Sequence, residues 1–384
     1  MFALMCLSVF GVVYAYAGYP ALLYVLDWFI AAPLARDVAA QANYRPFVTL
    51  IVSAYNEERV IEAKILNSLQ LSYPRERLEI MVVSDGSNDG TMEIVRRYLP
   101  QGVVFLHIDG RIGKSACLNK AVKEARGEIV VFTDANSHFK TDALEALVGN
   151  FADDHVGFAT GYTAYVKEEN GTLVESVGIY SRIEKFTKQM ESRLSSCVGA
   201  DGAIFAIRKA LFRNLGADDI NDLVMPLGVV RGGFRGVLEN RAVCSEGMAS
   251  NFSEEYRRQI RIATRTIRAI WKNRDLLNPF KYGLFAAQFF SHKLVKLMVP
   301  LMLAILLVST MRLAFDNPLF VAFLLIQIVF YLVGLTFDPS RYHGAIGSVL
   351  GLVRTFVLYN TAISIGWFNF IRRKNFTVWA TLRQ

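Results

Sequence analysis

The chain has 384 residues, 53% of them hydrophobic, and 42 Lys and Arg against 34 Asp and Glu give it a net charge of +8. Its length exceeds what one compact core usually takes, which points to two or three units, and its mean hydropathy of +0.30 excludes an ordinary soluble domain. The basic excess argues against nucleic acid as partner, because its densest run, Arg257, Arg258, Arg261, Arg265, Arg268, Lys272 and Arg274, lies just before a hydrophobic C-terminal third, where a cytoplasmic membrane-flanking mark belongs.

Residues 2–32 are apolar apart from Asp27 and long enough to cross a hydrocarbon core of ~30 Å. They predict an uncleaved anchor. Ala15-Tyr16-Ala17 resembles a signal cleavage site, but no basic segment precedes it and the apolar run continues past it.

From 44 to 165 strand and helix patterns alternate. Phe47 to Ser53 reads as a strand, Glu57 to Leu69 as a helix, Leu78 to Val83 as a strand, and Met92 to Tyr98 as a helix. Val103 to His107 and Glu128 to Phe132 are further strands, with a helix from Ser115 to Ala125 between them. Short apolar strands alternating with amphipathic helices predict a mostly parallel sheet covered on both faces, a nucleotide-binding α/β domain.

The C-terminal third is different. Leu294 to Met311, Pro318 to Leu335 and Ile346 to Phe368, the last interrupted by Arg354, are of spanning length. Residues 280–293, with Phe285, Phe289 and Phe290 beside Lys281, His292 and Lys293, read as an interfacial helix. One anchor and three later spans around a cytosolic domain would put Arg372-Arg373-Lys374 outside, against the positive-inside tendency. Either the last run is re-entrant or one span is miscounted. Cys6, Cys117, Cys197 and Cys244 are scattered, with no zinc or disulfide spacing, which suits a reducing compartment.

Four motifs carry chemistry. Ser53-Ala54-Tyr55-Asn56-Glu57-Glu58 follows the first strand, where open α/β sheets hold a nucleotide base; a helix cap at Asn56 explains the same letters. Val83 to Thr91, reading VSDGSNDGT, offers Asp85 and other acceptors for a base imide and ribose hydroxyls, or an Asx-capped turn. Gly110 to Ser115 lacks the first glycine of a P-loop because position 108 is Ile, which leaves Arg111 and Lys114 as point charges for a diphosphate. Thr133-Asp134-Ala135-Asn136 ends a hydrophobic strand. A carboxylate there can hold Mg2+ or Mn2+ bridging two phosphates, unless Asp134 caps a helix starting near Thr141.

In this order and spacing, SAYNEE, VSDGSNDGT, GRIGKSACLNKA and FTDAN resemble the family 2 glycosyltransferases of GT-A fold, on the branch with cellulose, chitin and hyaluronan synthases. The resemblance covers residues 45 to 275. It implies a Rossmann-like α/β domain with a mostly parallel sheet, in the cytosol between N- and C-terminal transmembrane helices. It also implies that Asp85 contacts the uracil of a UDP-sugar, that Ala54, Tyr55, Glu57 and Lys114 bind the donor, and that Asp134 binds metal and diphosphate. Asn136 stands where the family has a second metal-motif Asp and keeps a neutral oxygen.

Val198 to Ile204 matches the family's acceptor segment, which places Gly199, Ala200, Asp201 and Gly202 at the acceptor. Asp222 in Ile220-Asn221-Asp222 matches the catalytic base of a Thr-Glu-Asp motif; Asp218 and Asp219 are alternatives that a solvated loop also explains. The reaction needs one carboxylate beside the acceptor hydroxyl, and a single displacement inverts the anomeric centre. Arg258-Gln259-Ile260-Arg261-Ile262 matches the processive enzymes' Gln-x-x-Arg-Trp in part: Arg258 and Arg261 keep a cation for the leaving diphosphate, whereas Ile262 removes the aromatic platform. Helix surface charge is the plain alternative.

The expectation is therefore a membrane enzyme in three parts: an anchor (1–40), a GT-A domain (41–275), and an interfacial helix with three spans (276–384). It uses Mg2+ or Mn2+ to transfer a sugar from a nucleotide sugar to a lipid-linked or oligosaccharide acceptor, in cell-surface or extracellular polysaccharide synthesis. Its setting is a bacterial inner membrane, with the catalytic domain in the cytoplasm, membrane lipid alongside and no nucleic acid. A processive synthase working as an oligomer or with an export partner is the second reading. A catalytically weak assembly subunit is the third, with intact Asp85, Asp134 and Asp222 against it.

Overall fold

The computed structural model describes residues 1–30, 41, 43–169, 172–175, 179–247, 252–337 and 344–374. Residues 31 and 32 of the predicted anchor fall outside them. The chain divides into two compact units, a sheet unit containing Leu23–Ser250 and Asn278–Ala286, and a helical unit made of Met1–Leu22, Asn251–Leu277 and Ala287–Lys374.

Among the described residues the sheet unit has nine strands: β1 (Val48–Ala54), β2 (Leu78–Asp85), β3 (Val103–Ile108), β4 (Ile129–Asp134), β5 (His138–Phe139), β6 (Val156–Glu169), β7 (Thr172–Glu175), β8 (Phe205–Arg208) and β9 (Arg235–Gly247). Their order is β3-β2-β1-β4-β8-β6-β9-β5, with β7 paired to β6. The first four run parallel. The chain then reverses, because β8 is antiparallel to both β4 and β6, while β6 and β9 run parallel, so the sheet is mixed.

Every residue of β1 and β2 is buried, the signature of strands covered on both faces. On one face Val48, Leu50, Val52, Ile80 and Val82 pack with Ile61 and Ile65 of the helix Ile61–Leu69 and with Leu144 and Leu147 of the helix Ala143–Gly149. Each such side chain contributes about 1.5–3 kcal/mol on burial. Register aligns the carboxyl ends of the parallel strands, with Ser53 opposite Asp134, Ala54 opposite Ser84, and Asp85 opposite Ile108. All ligand chemistry of an open α/β sheet gathers at this edge.

Two local expectations change. The first helix begins at Ile61 with Val60 as its N-cap, four residues later than the hydrophobic spacing predicts. The amides of Glu57 and Glu58 donate instead to Thr91 Oγ1 at 2.8 Å and Asp89 Oδ2 at 3.1 Å. Asn56 is accordingly not a helix cap and sits at φ 53°. The helix after β4 has Asp142 as its N-cap, so Asp134 caps nothing there.

In the helical unit, Tyr14 Oη lies 2.9 Å from Ser291 Oγ, and Ala15 packs with Val295 and Val299. Among the described residues four helices are long and apolar enough to cross a membrane: Phe2–Phe29, Leu284–Ala314, Pro318–Thr336 and Ile346–Ile371. The predicted interfacial helix over 280–293 does not form as a separate element. From Leu284 onward it is the start of a 31-residue apolar helix, whose Ser291 and His292 are buried in a π-helical turn rather than turned to headgroups.

The amphipathic helix Phe252–Lys272 runs alongside the helix Gly344–Ile371. Tyr256 Oη donates to Thr361 Oγ1 at 3.0 Å. Gly366 is small enough to let the backbones close up, since a Cβ there would be 3.0 Å from Ala263 Cβ. The Arg268 guanidinium donates to the carbonyl of Lys374. Arg372-Arg373-Lys374 therefore lies beside the arginine-rich helix.

Candidate active site

Three loops at the carboxyl edge of the parallel strands are laced together by side chains. The amide of Asn56 donates to Ser87 Oγ at 3.1 Å, Asn56 Nδ2 to Asn88 Oδ1 at 2.7 Å, and the amide of Asn88 to Asn56 Oδ1 at 2.9 Å. Glu58 closes the lacing by accepting from the amide of Gly90 at 2.9 Å. Tyr55 is thereby fixed just beyond Ala54, with the Arg111 guanidinium 4.0 Å above its ring, a cation–π contact.

Asp85 is fully buried at the end of β2. Its carboxylate accepts from the amides of Ile112 at 2.8 Å and Gly113 at 3.0 Å. Gly86, at φ +67°, lets this loop pass the next one, because a Cβ there would sit 2.6 Å from the Gly110 carbonyl oxygen. Behind the loop, burial and the Asp85 carboxylate push the Cys117 thiol up, which keeps it out of nucleophilic chemistry.

Lys114 opens the helix Lys114–Glu124 and pairs through Nζ with Asp134 Oδ1 at the end of β4. Asp134 keeps 36% of its side chain exposed, and Asn136 follows two residues later, half-buried. The amide of Ser137 donates to the Asp134 carbonyl at 3.2 Å and closes a tight turn. Among the described residues no group of three or more His, Cys, Asp or Glu is placed to hold a metal ion. Two side-chain oxygens, with phosphates and water completing the shell, are a donor set that suits Mg2+ or Mn2+.

The acceptor-side residues converge as well. Asp201 binds Thr163 of β6 through the amide at 2.9 Å and the hydroxyl at 2.9 Å, and its own amide donates to Thr160 Oγ1 at 2.8 Å. This pins the segment holding Gly199, Ala200, Asp201 and Gly202 to the sheet. Asp222 lies in the first turn of the helix Asn221–Arg231. The amide of Ala200 donates to its backbone carbonyl at 2.8 Å, and a Cβ on Gly202 would lie 3.0 Å from its Oδ2. Of the alternative bases, Asp219 is tied into its own turn, accepting from the amide of Gly216 at 2.8 Å.

Arg258 and Arg261 belong to the helical unit. Arg258 lies 3.2 Å from Glu255. Burial, then the neighbouring charges of Arg265 and Arg258, hold the Arg261 guanidinium below its usual range.

Two functional candidates escape sequence reasoning. Lys188, on the helix Ile179–Leu194, lies 3.4 Å from the Ala200 carbonyl. Burial works against its charge, but the carboxylates of Glu184, Asp201 and Asp222 outweigh it and hold its pKa above the usual lysine value. Lys64 is fully buried behind the Asp134 turn. Its signal was available in the helical spacing, because three residues after Ile61 and one before Ile65 is a place on the core-facing stripe.

Residues 49–216 match the family model described as Glycosyl transferase family 2. The chain is 28% identical over 181 residues to "Probable glycosyltransferase YdaM" of Bacillus subtilis, covering 45% of this chain and 43% of that one. It is 29% identical over 136 residues to the poly-beta-1,6-N-acetyl-D-glucosamine synthase of Staphylococcus aureus, covering 33% and 32%. The chain thus spans about half the length, or less, of these curated relatives. Among solved structures it resembles the mannosyltransferase PcManGT of Pyrobaculum calidifontis, solved with GDP-Man and Mn2+, at TM-score 0.73 and 23% identity over 97% of this chain and 100% of the other. With its sheet order, its aligned strand ends and this likeness, the chain has the GT-A fold, and its residues 49–216 match glycosyl transferase family 2.

Proposed function

We propose that the protein is a membrane-bound, inverting glycosyltransferase that moves a hexose from a nucleotide sugar, first of all a UDP-sugar, to a lipid-linked or oligosaccharide acceptor. The observation that carries this reading is the approach of Gly202 to Asp222 in the unit whose parallel strand ends hold Lys114 against Asp134. One carboxylate stands at an acceptor segment, and a separate cation–carboxylate pair stands where a diphosphate belongs.

In this reading Asp222 takes the proton of the acceptor hydroxyl as that oxygen attacks the anomeric carbon. The bond from that carbon to the diphosphate breaks, the nucleoside diphosphate leaves from the opposite face, and the configuration inverts. Lys114 and Arg111 balance the charge that builds on the leaving oxygens. Asp134 and Asn136 hold the divalent metal, which when bound neutralises diphosphate oxygens as a Lewis acid. The Mn2+ and GDP-Man of the Pyrobaculum calidifontis enzyme support this choice of ligands. Asp85, committed to the amides of Ile112 and Gly113, acts on the donor by shaping the loop that presents Arg111 and Lys114. Lys188 keeps a cation beside the acceptor segment.

The basic clusters of the two packed helices support a catalytic domain on the cytoplasmic side of a bacterial cell membrane. Ile262 in place of an aromatic residue, together with four candidate spans, favours addition of one or a few sugars over polymer export. The test is turnover by the purified full chain with Mn2+ and membrane lipid extract, offered UDP-Glc, UDP-GlcNAc, UDP-Gal, UDP-GlcA and GDP-mannose, followed by sizing of the product. Nucleoside diphosphate release from one donor with a short product is expected. A long polymer would establish the processive reading, and no release from any donor would leave an assembly subunit.

A further inference from the structure

Among the largest fully buried side chains of the described residues is a lysine, Lys64, with no measurable exposure. An ammonium in a protein core is costly unless it is well partnered, and a leucine or methionine would fill the same volume on the helix Ile61–Leu69 without that cost. Its partners account for its presence. Nζ donates to the backbone carbonyl of Ser137 and lies 4.1 Å from the centroid of the Phe139 ring. One turn further along the same helix, Asn67 clasps Phe139, its Nδ2 donating to the carbonyl at 2.8 Å and its Oδ1 accepting from the amide at 2.8 Å.

Lys64 and Asn67 thus grip alternate residues of one extended segment. The first of those residues, Ser137, is also the end of the Asp134 turn: its amide donates to the Asp134 carbonyl, and its hydroxyl donates to Glu246. The nearest charged or ionisable groups around Lys64 are Cys244, Asp134 and Glu246. The Asp134 carboxylate itself pairs with Lys114, so Lys64 holds the turn through its backbone carbonyl at Ser137 and not through the metal-motif side chain.

We infer that Lys64 is a positioning residue, whose ammonium fixes the Ser137 carbonyl and thereby holds the oxygens of Asp134 and Asn136 in the arrangement that takes a divalent metal with the donor's diphosphate. This rests on the proposed reading of that turn as the metal and diphosphate site. Groups that support metal ligands from behind typically change affinity by about 10–100-fold when removed.

The test compares the full-length protein with Lys64→Met, in detergent, by electron paramagnetic resonance titration of Mn2+ in the presence of UDP and, in parallel, GDP. Thermal unfolding and transfer as a function of Mn2+ are measured alongside. Lys64→Met is expected to unfold no lower than wild type, because it removes a buried charge, while Mn2+ binding weakens by about 10-fold or more. Mn2+ binding within twofold of wild type overturns the inference and leaves the proposed function standing. Wild-type protein that binds no Mn2+ with either nucleotide overturns both. Should Lys64→Met fail to fold, Lys64→Gln, which keeps a donor without the charge, carries the same titration. Asn67→Ala serves as control: it loosens Phe139 but leaves the Ser137 clamp, and an equal loss of Mn2+ binding in that variant would reduce Lys64 to a general packing role.

Discussion

The amide of Ala200 donates to the backbone carbonyl of Asp222 at 2.8 Å, which joins the segment expected at the acceptor to the first turn of the helix carrying the proposed base. Neither residue can shift without the other. In the proposed reading, the acceptor's position and the carboxylate that takes its proton are therefore set by one piece of backbone.

Asp222→Asn should keep this backbone tie and remove the base. Transfer is expected to fall by about 10²–10⁴-fold, with UDP affinity by calorimetry unchanged. Turnover near wild type would remove Asp222 from that role.

Gly202→Ala probes the same junction from the other side. The new Cβ would lie 3.0 Å from Asp222 Oδ2, so the carboxylate must give way by a few tenths of an ångström. A misplacement of about 1 Å at a reacting group can cost about 100-fold. A smaller shift here is expected to lower kcat/KM for the acceptor by roughly 10-fold, with donor affinity and unfolding temperature close to wild type.

The sheet strands that bear the proposed donor side were legible because they are largely buried on both faces, and Ile80 to Val83 or Ile129 to Phe132 reads as an uninterrupted apolar run. β6 and β9 were not. They are paired across some eighty residues of sequence, and their register breaks where Gly161 passes within 2.1 Å, at its missing Cβ, of the Ala242 carbonyl oxygen; no local period records such a bulge. The helix start was misread for a related reason: Thr91 and Asp89, more than thirty residues away, take the amides that helical spacing alone assigns to a first turn. Asp134 and Asp222 could be singled out one by one, but their supports, Lys64 and Lys188, depend on contacts that no motif contains.

Lys64 also gives the fold a pH dependence. Burial pushes its ammonium down to about 7 from the ordinary 10.5. Below pH 7 both folded and unfolded chains hold the proton and the full cost of burial applies; between pH 7 and 10.5 the unfolded chain binds more protons, so stability rises with pH. Thermal unfolding from pH 6 to 9 should show wild type gaining on Lys64→Met by up to about 1.4 kcal/mol per pH unit above 7. Parallel curves for the two proteins would contradict this.

The contact of Arg268 with the Lys374 carbonyl makes a prediction about sidedness. Single cysteines placed at Lys374 and at Arg257, in a background with Cys6 replaced by Ser, should react with a membrane-impermeant maleimide from the same side of sealed vesicles. Labelling from opposite sides would mean that the last helix does not end beside the arginine-rich one.

The helical unit is built from three stretches of chain that the sheet unit separates, and this orders events during synthesis. The small-residue surface of the first helix, where Gly11 meets Met302 and Ala15 meets Val295 and Val299, is synthesised well before the residues it packs against. Its partners arrive about 270 residues later, roughly 15–55 s at typical bacterial and eukaryotic elongation rates. In the proposed membrane setting the first helix is sheltered for that interval by lipid or by insertion machinery, while the α/β sheet folds.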